Sequence, residues 1–275
     1  PYCENCYHIL KNQVIHNYDY RPETIFYGDG PRYFGVELEI DKGGEIGSNA
    51  EQILAVGNRE RDFYYCKHDG SLDDGFEIVS HPATTECHLT QLPWKAVMAE
   101  AVSLGYRSHQ ACTCGLHIHI SRLAFGRTAA QQEAAIARLL YFVEKHWNEL
   151  LKFSRRTQHQ LDQWASRYGY KEQPMEILDH AKKGYHGGRY TCVNLTNRDT
   201  IEFRMFRGTL KYNTLIATLQ LVDRICDVAI YLSDDELKAL SWTSFVSGCQ
   251  APELVRYLKE RRLYVNEPVM AEVEV

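Results

Sequence analysis

The stretch CGLHIHIS, residues 114 to 121, sets His117 and His119 one residue apart between Leu116, Ile118 and Ile120. Successive side chains of a strand point to opposite faces, so the two imidazoles share one face and the aliphatics share the other. The same grammar recurs twice. In FGVELEI, residues 34 to 40, Val36, Leu38 and Ile40 alternate with Glu37 and Glu39, and Asp41 continues the polar face. In TIEFRMF, residues 200 to 206, Glu202 and Arg204 fall on one side. FEIVS, residues 76 to 80, adds Glu77, with Ser80 in a less regular pattern. Each polar pair is spaced about 7 Å along its strand. A solvated sheet face usually mixes Thr, Ser, Lys and Gln and avoids like charges side by side. Here the polar positions are almost all Glu, His and Arg, and Glu37 and Glu39 repel each other unless a cation joins them.

Working outward, DFYYCKHDGSL and GFEIVSHP read as a strand pair joined through DGSLDDG. SNAEQILAVGNRE reads as a short helix capped by Ser48, and a helix fills much of 84–104 despite Pro93. TAAQQEAAIARLLYFVEKHWNELLKF is a long amphipathic helix with Thr128 and Gln131 as a capping box. Shorter helices follow at 157–168 and 174–183, then a glycine-rich loop, then the strands RYTCVNL and TIEFRMF around TNRD. YNTLIATLQLVDRICDVAIYL is a second long helix, with one or two more after it. Antiparallel strand pairs with intervening helices argue for an α+β fold with helices packed on one side of the sheet.

Of 275 residues, 44% are hydrophobic and 12% aromatic, which supplies a real core and excludes disorder as the main state. A net charge of −5 argues against a general nucleic-acid-binding surface. No apolar run approaches the roughly 20 residues of a membrane span. Nine cysteines in irregular spacings look like reduced thiols, so a cytoplasmic setting is expected. Cys3 and Cys6 have the spacing of half a tetrahedral zinc site. The expected organisation is a zinc-knuckle-like remnant plus linker over 1–30, whose first half would lie before Pro1, and one domain over 31–275. The tyrosines of the linker, Tyr18, Tyr20, Tyr27 and Tyr33, read as packing anchors.

If the strands neighbour one another, Glu37, Glu39, Glu77, Glu202 and His117 converge on a patch able to hold two divalent ions. Carboxylate oxygens suit Mg²⁺ or Mn²⁺, and imidazole keeps Mn²⁺ or Zn²⁺ open. Arg189, Arg198, Arg204 and Arg207 gather around the last strand pair, where guanidinium forks clamp phosphate. Cations over a carboxylate patch are the tools of phosphoryl transfer.

FGVELEI, DGSL followed by GFEIVS, CGLHIHIS and RDTIEFRMFRGTL, in that order, resemble the amidoligase family of glutamine-synthetase-like carboxylate–amine ligases. The matching motifs span residues 34 to 210. The resemblance implies a curved antiparallel sheet with helices on its convex side, whose concave face binds ATP and two Mg²⁺ or Mn²⁺ ions. It implies that Glu37, His117 and Glu202 hold the metal nearer the nucleotide phosphates, and Glu39 and Glu77 the one nearer the acceptor carboxylate. Arg204 would stabilise the transferring phosphoryl group, and His119 would line the site. Asp69, Ser71, Ser80 and Asn194 match positions near substrate. No glutamine-synthetase-type N-terminal β-domain and no ammonia-site loop is evident, so substrate and ring architecture do not carry over. The acid and amine could be an amino acid, a peptide end, a cell-wall or polyamine group, or a modified nucleobase, and a glutaminase-type partner is compatible with this chemistry.

Two rival functions use other residues. A zinc hydrolase or deaminase would draw on His117, His119 and Cys112 or Cys114, but lacks the His-x-Glu and Pro-Cys-x-x-Cys helices a deaminase expects. A non-catalytic nucleotide-binding module would keep the sheet and use Cys3 and Cys6 for a partner.

Overall fold

The computed structural model describes residues 13–184 and 188–264; Cys3 and Cys6 lie outside these. Seven strands form one sheet: β1 (Ile15–His16), β2 (Phe34–Ile40), β3 (Tyr64–Lys67), β4 (Phe76–Ser80), β5 (Gly115–Ser121), β6 (Val193–Asn194) and β7 (Thr200–Arg207). Their order is β1-β3-β4-β2-β5-β7-β6, and every pairing is antiparallel except β1 with β3. The three strands with the alternating polar face stand side by side at its centre, in the order β2-β5-β7.

The aliphatic face of that sheet is the core. Val36, Leu38, Ile40, Ile78, Leu116, Ile118, Ile120, Ile201 and Phe203 are all buried. Each fully buried side chain of this size contributes on the order of 1.5–3 kcal/mol, which is what fixes the register and therefore the facing of every polar residue. The helix Tyr212–Tyr231 packs on β5 and gathers the helices Ala129–Lys145, Pro252–Glu260, Trp94–Ser103 and Thr85–Thr90 around it.

Several local expectations shift. Ser48 lies inside the helix Gly47–Gly57, whose N-cap is Ile46 with no side-chain cap. The 84–104 region is two helices, Thr85–Thr90 and Trp94–Ser103, since Pro93 removes a donor and starts the second as its N-cap. The long helix keeps its Thr128–Gln131 capping box but ends at Lys145, and a separate helix, Trp147–Ser154, follows His146. Among the described residues three helices, where the sequence predicts one or two, follow Tyr231: Asp234–Ala239, Trp242–Ser247 and Pro252–Glu260. The linker is partly ordered into the sheet. Ile15 is buried and pairs with Cys66, and Arg32 anchors the same segment to the long helix through Asp223 and Asp227 (both at 2.6 Å).

Candidate active site

Cross-strand register assembles the polar face. Glu37 stands opposite His117, Glu39 opposite Glu77, Lys67 opposite Glu77, His119 opposite Glu202, and Asn194 opposite Glu202. Between Leu116 and Ile118 the β5–β7 ladder slips by one residue, a bulge that sets Arg204 and Met205 against His117. The bulge keeps Phe203 and Phe206 both in the core while Arg204 turns to the polar side.

One donor atom each from Glu37, His117 and Glu202 lies within 4.8 Å of the other two. His117 Nδ1 is 3.4 Å from a Glu37 oxygen and 3.6 Å from Glu202 Oε1. Ligands bonded to one ion at about 2.1 Å are separated by about 3 Å when cis and about 4.2 Å when trans, so this trio has the dimensions of half a coordination shell. Two carboxylates and one imidazole, with no thiolate among them, form a donor set for a divalent ion. The remaining lone pairs are oriented by neighbours: Asn194 Nδ2 (2.8 Å) and Asn197 Nδ2 (3.2 Å) donate to Glu202 Oε2, and Arg204 Nη1 donates to Oε1. Such partners hold ligands in place before an ion arrives.

The second pair, Glu39 and Glu77, is engaged differently. Glu39 accepts the Gly115 N–H and lies 3.5 Å from His117 Nε2, while Glu77 pairs with Lys67 Nζ at 3.1 Å. Among the described residues they join no third metal-binding side chain in a compact group.

Electrostatics mark the patch as strained by charge. Burial opposes ionisation of Glu37, but His119 and His117 hold it well below the usual carboxylate range. Burial lowers His119, yet Glu37 and Glu202 outweigh it and push that imidazole up to about 9. Burial, with Glu37 next, pushes Glu77 well above the ordinary range, and burial raises Glu39.

Two cavities meet at this patch. The larger, about 530 Å³, is lined by Glu37, Glu77, Asp69, Lys67, Arg189 and Tyr18, with most of the 18–24 segment forming a wall. The smaller, about 220 Å³, is lined by Glu39, Ser71, Arg156, Gln160, Gln163 and Trp164. His117 and Arg204 belong to both and form the partition. The larger falls within the roughly 300–1,000 Å³ typical of ligand sites; the smaller suits a more compact molecule.

Of the remaining sequence-derived candidates, Arg189 reaches the larger cavity, held over the rings of Tyr18 (4.9 Å) and Tyr190 (5.1 Å). Arg198 lines its rim with a side chain 92% exposed. Arg207 lines neither of these cavities and meets Cys112 Sγ at 3.5 Å. Ser80 lines the larger cavity, and its hydroxyl accepts the Val36 N–H at 3.0 Å. Asp41 is buried as the cap of the turn before β4, accepting from Thr113 and from the Asp73 and Asp74 N–H groups. Cys114 is buried and Cys112 exposed, and neither joins the histidines in a metal-binding group among the described residues.

Three contributors escaped the sequence reading. Lys67 occupies the polar face of β3 with Tyr65, a period-2 signal that was available in YYCK. Arg156 follows the left-handed residue Arg155 (φ 62°) between two helices, where no periodicity marks it. The 18–24 wall has no regular structure at all.

A family model described as "Putative amidoligase enzyme" matches residues 57–226. No curated protein matches the chain. Among solved structures, the chain is similar to a bifunctional glutathione synthetase from Pasteurella multocida, at 15% identity and a TM-score of 0.41 over 84% of this chain. It is also similar to the complex between the prokaryotic ubiquitin-like protein Pup and its ligase PafA, at 8% identity and a TM-score of 0.36 over 72% of this chain. The chain spans less than half, 46%, of each of those chains.

Proposed function

The chain belongs to the amidoligase family, and from that premise we propose that it is an ATP-dependent carboxylate–amine ligase acting through an acyl phosphate. The observation that carries the proposal is the trio of Glu37, His117 and Glu202, from three adjacent strands, lining the larger cavity, with His117 shared by the smaller. A divalent ion held there would supply charge neutralisation at phosphate oxygens.

The larger cavity takes the nucleotide polyphosphate, with Arg189 and Lys67 on its walls and Asp69 and Asn194 near its floor. The smaller takes the acid. Arg156 and Arg204 both line it, and for Arg156 burial first, then the neighbouring Arg204 and Arg207, lower its pKa against the opposing pull of Glu39 and Cys114. A guanidinium in that position gains most from a carboxylate ligand. Gln160 and Gln163, one helical turn apart, offer amides to the same molecule.

In the reaction, an acid oxygen attacks the terminal phosphorus and the bond to the nucleotide's bridging oxygen breaks, giving ADP and an acyl phosphate. Arg204, at the partition, faces the charge that develops on the transferred group. The amine then attacks the acyl carbon, phosphate leaves with the bonding pair, and a carboxylate of the patch accepts the amine's proton. The enclosure of His117 and Glu202, with Glu37 half-buried beside them, limits interception of the acyl phosphate by water.

ADP release measured over a matrix of acids and amines tests this. The expected result is release that requires one acid and one amine together, with an amide product of the combined mass less water. Nucleotide hydrolysis indifferent to both would contradict it.

A further inference from the structure

Glu37, Glu39, Glu77 and Glu202 crowd the middle of one sheet face, and one divalent ion at Glu37, His117 and Glu202 balances only part of that charge. The remaining pair, Glu39 and Glu77, would be expected to take a second ion if neither carboxylate already had a partner, but one oxygen of each is engaged by the chain itself. Lys67 stands directly opposite Glu77 on β3, with Nζ 3.1 Å from Oε1. Its residue is only 8% exposed, and a buried ammonium is costly unless paired. Nζ also lies over the Tyr18 ring, 5.1 Å from its centroid. On the other flank, Glu39 is bound by the Gly115 N–H and neighboured by His117 and Arg156. Gly115 makes this possible, since a Cβ there would lie 2.6 Å from His117 Nε2 and 2.9 Å from Arg156 Nη2.

We infer that Lys67 occupies, as a fixed part of the chain, the place of a second divalent ion, so that the site exchanges one metal ion and not two. The inference rests on the metal reading of Glu37, His117 and Glu202. An ammonium on a strand is compact, singly charged and cannot be chelated away, and it presents further N–H donors to the larger cavity, which it lines. Glu77 then serves to hold Lys67 and not to coordinate metal.

The test is Mn²⁺ binding to the full chain without nucleotide, counted from the loss of the free-Mn²⁺ EPR signal on titration. The wild type is expected to saturate at one ion per chain, and Lys67→Arg also at one. Lys67→Met, which leaves Glu39 and Glu77 without the ammonium, is expected to gain a second ion. Glu77→Gln gives a check that does not depend on the folding of Lys67→Met, and is expected to keep one ion at an affinity within about twofold. Two ions in the wild type, loss of the ion in Glu77→Gln, or a folded Lys67→Met still at one would overturn the inference while leaving the metal trio standing. No bound Mn²⁺ in the wild type would instead remove the trio, and this inference with it.

Discussion

Glu37 and His117 face each other across neighbouring antiparallel strands, with His117 Nδ1 3.4 Å from the Glu37 carboxylate. The pairing follows from the two aliphatic faces, because burying Val36 and Leu38 together with Leu116 and Ile118 allows one register only. A slip of one residue would send the glutamate and both histidines into the core. The site and the core are therefore specified by the same alternation.

Arg204 sits at the β7 bulge with Glu202 as its ion-pair partner and both cavities before it. Arg204→Lys is expected to lower kcat by about 10²–10³-fold, the cost of removing one preorganised donor from developing charge, with KM for nucleotide changed far less. Steady-state kinetics on the acid–amine pair check this; an unchanged kcat would exclude Arg204 from the reaction.

Arg156 faces only the smaller cavity. Arg156→Ala is expected to raise KM for the acid by about 10- to 100-fold, the loss of a charge-assisted hydrogen bond, and to leave KM for nucleotide within about twofold. Equal effects on both substrates would mean that the acid does not bind there.

Gly115 opens β5 where its missing side chain leaves room for His117 and Arg156. Gly115→Ala is expected to weaken Mn²⁺ binding at least tenfold by displacing His117, while Tm shifts by no more than about 4 °C, roughly 1 kcal/mol for a chain of this size. Calorimetric titration and thermal melts read the two effects separately.

His88 supplies a pH dependence unconnected with the site. It is fully buried, Nε2 within 2.9 Å of the Phe34 carbonyl and Nδ1 accepting from Trp94 Nε1 at 3.2 Å, an arrangement only the neutral ring satisfies. Burial lowers its pKa to about 4 from the ordinary 6.5. The folded pKa lies below the unfolded one and the neutral form is favoured, so this contribution is fully present above pH 6.5 and is lost as pH falls towards 4. Linkage gives a loss of about 2 kcal/mol by pH 5. Urea denaturation at pH 7.5 and pH 5 measures it, and His88→Gln is expected to flatten the difference by that amount.

Much of this was legible in sequence because period-2 patterns report facing directly. Glu37, His117 and Glu202 each sit in a run where every second residue is aliphatic or aromatic, so their convergence needed only the strand order. The bulge opposite His117 has no signature in EFRMF, since it arises from fitting both Phe203 and Phe206 into the core. Arg156 and the Tyr18–Thr24 wall are placed by turns and long-range packing, which leave no periodic trace. Ser80 lines the larger cavity while its hydroxyl accepts the Val36 N–H, a backbone tie at a strand end that no periodic pattern marks.

The central claim is that three strands jointly hold one ion. Crystals of the full chain soaked with Mn²⁺ and a non-hydrolysable ATP analogue, read by anomalous difference density, test it most directly. The account predicts a peak bonded at about 2.1–2.3 Å to Glu37, His117 and Glu202 and facing the larger cavity. A peak bonded to Glu39 and Glu77 in its stead, or none touching His117, would contradict it.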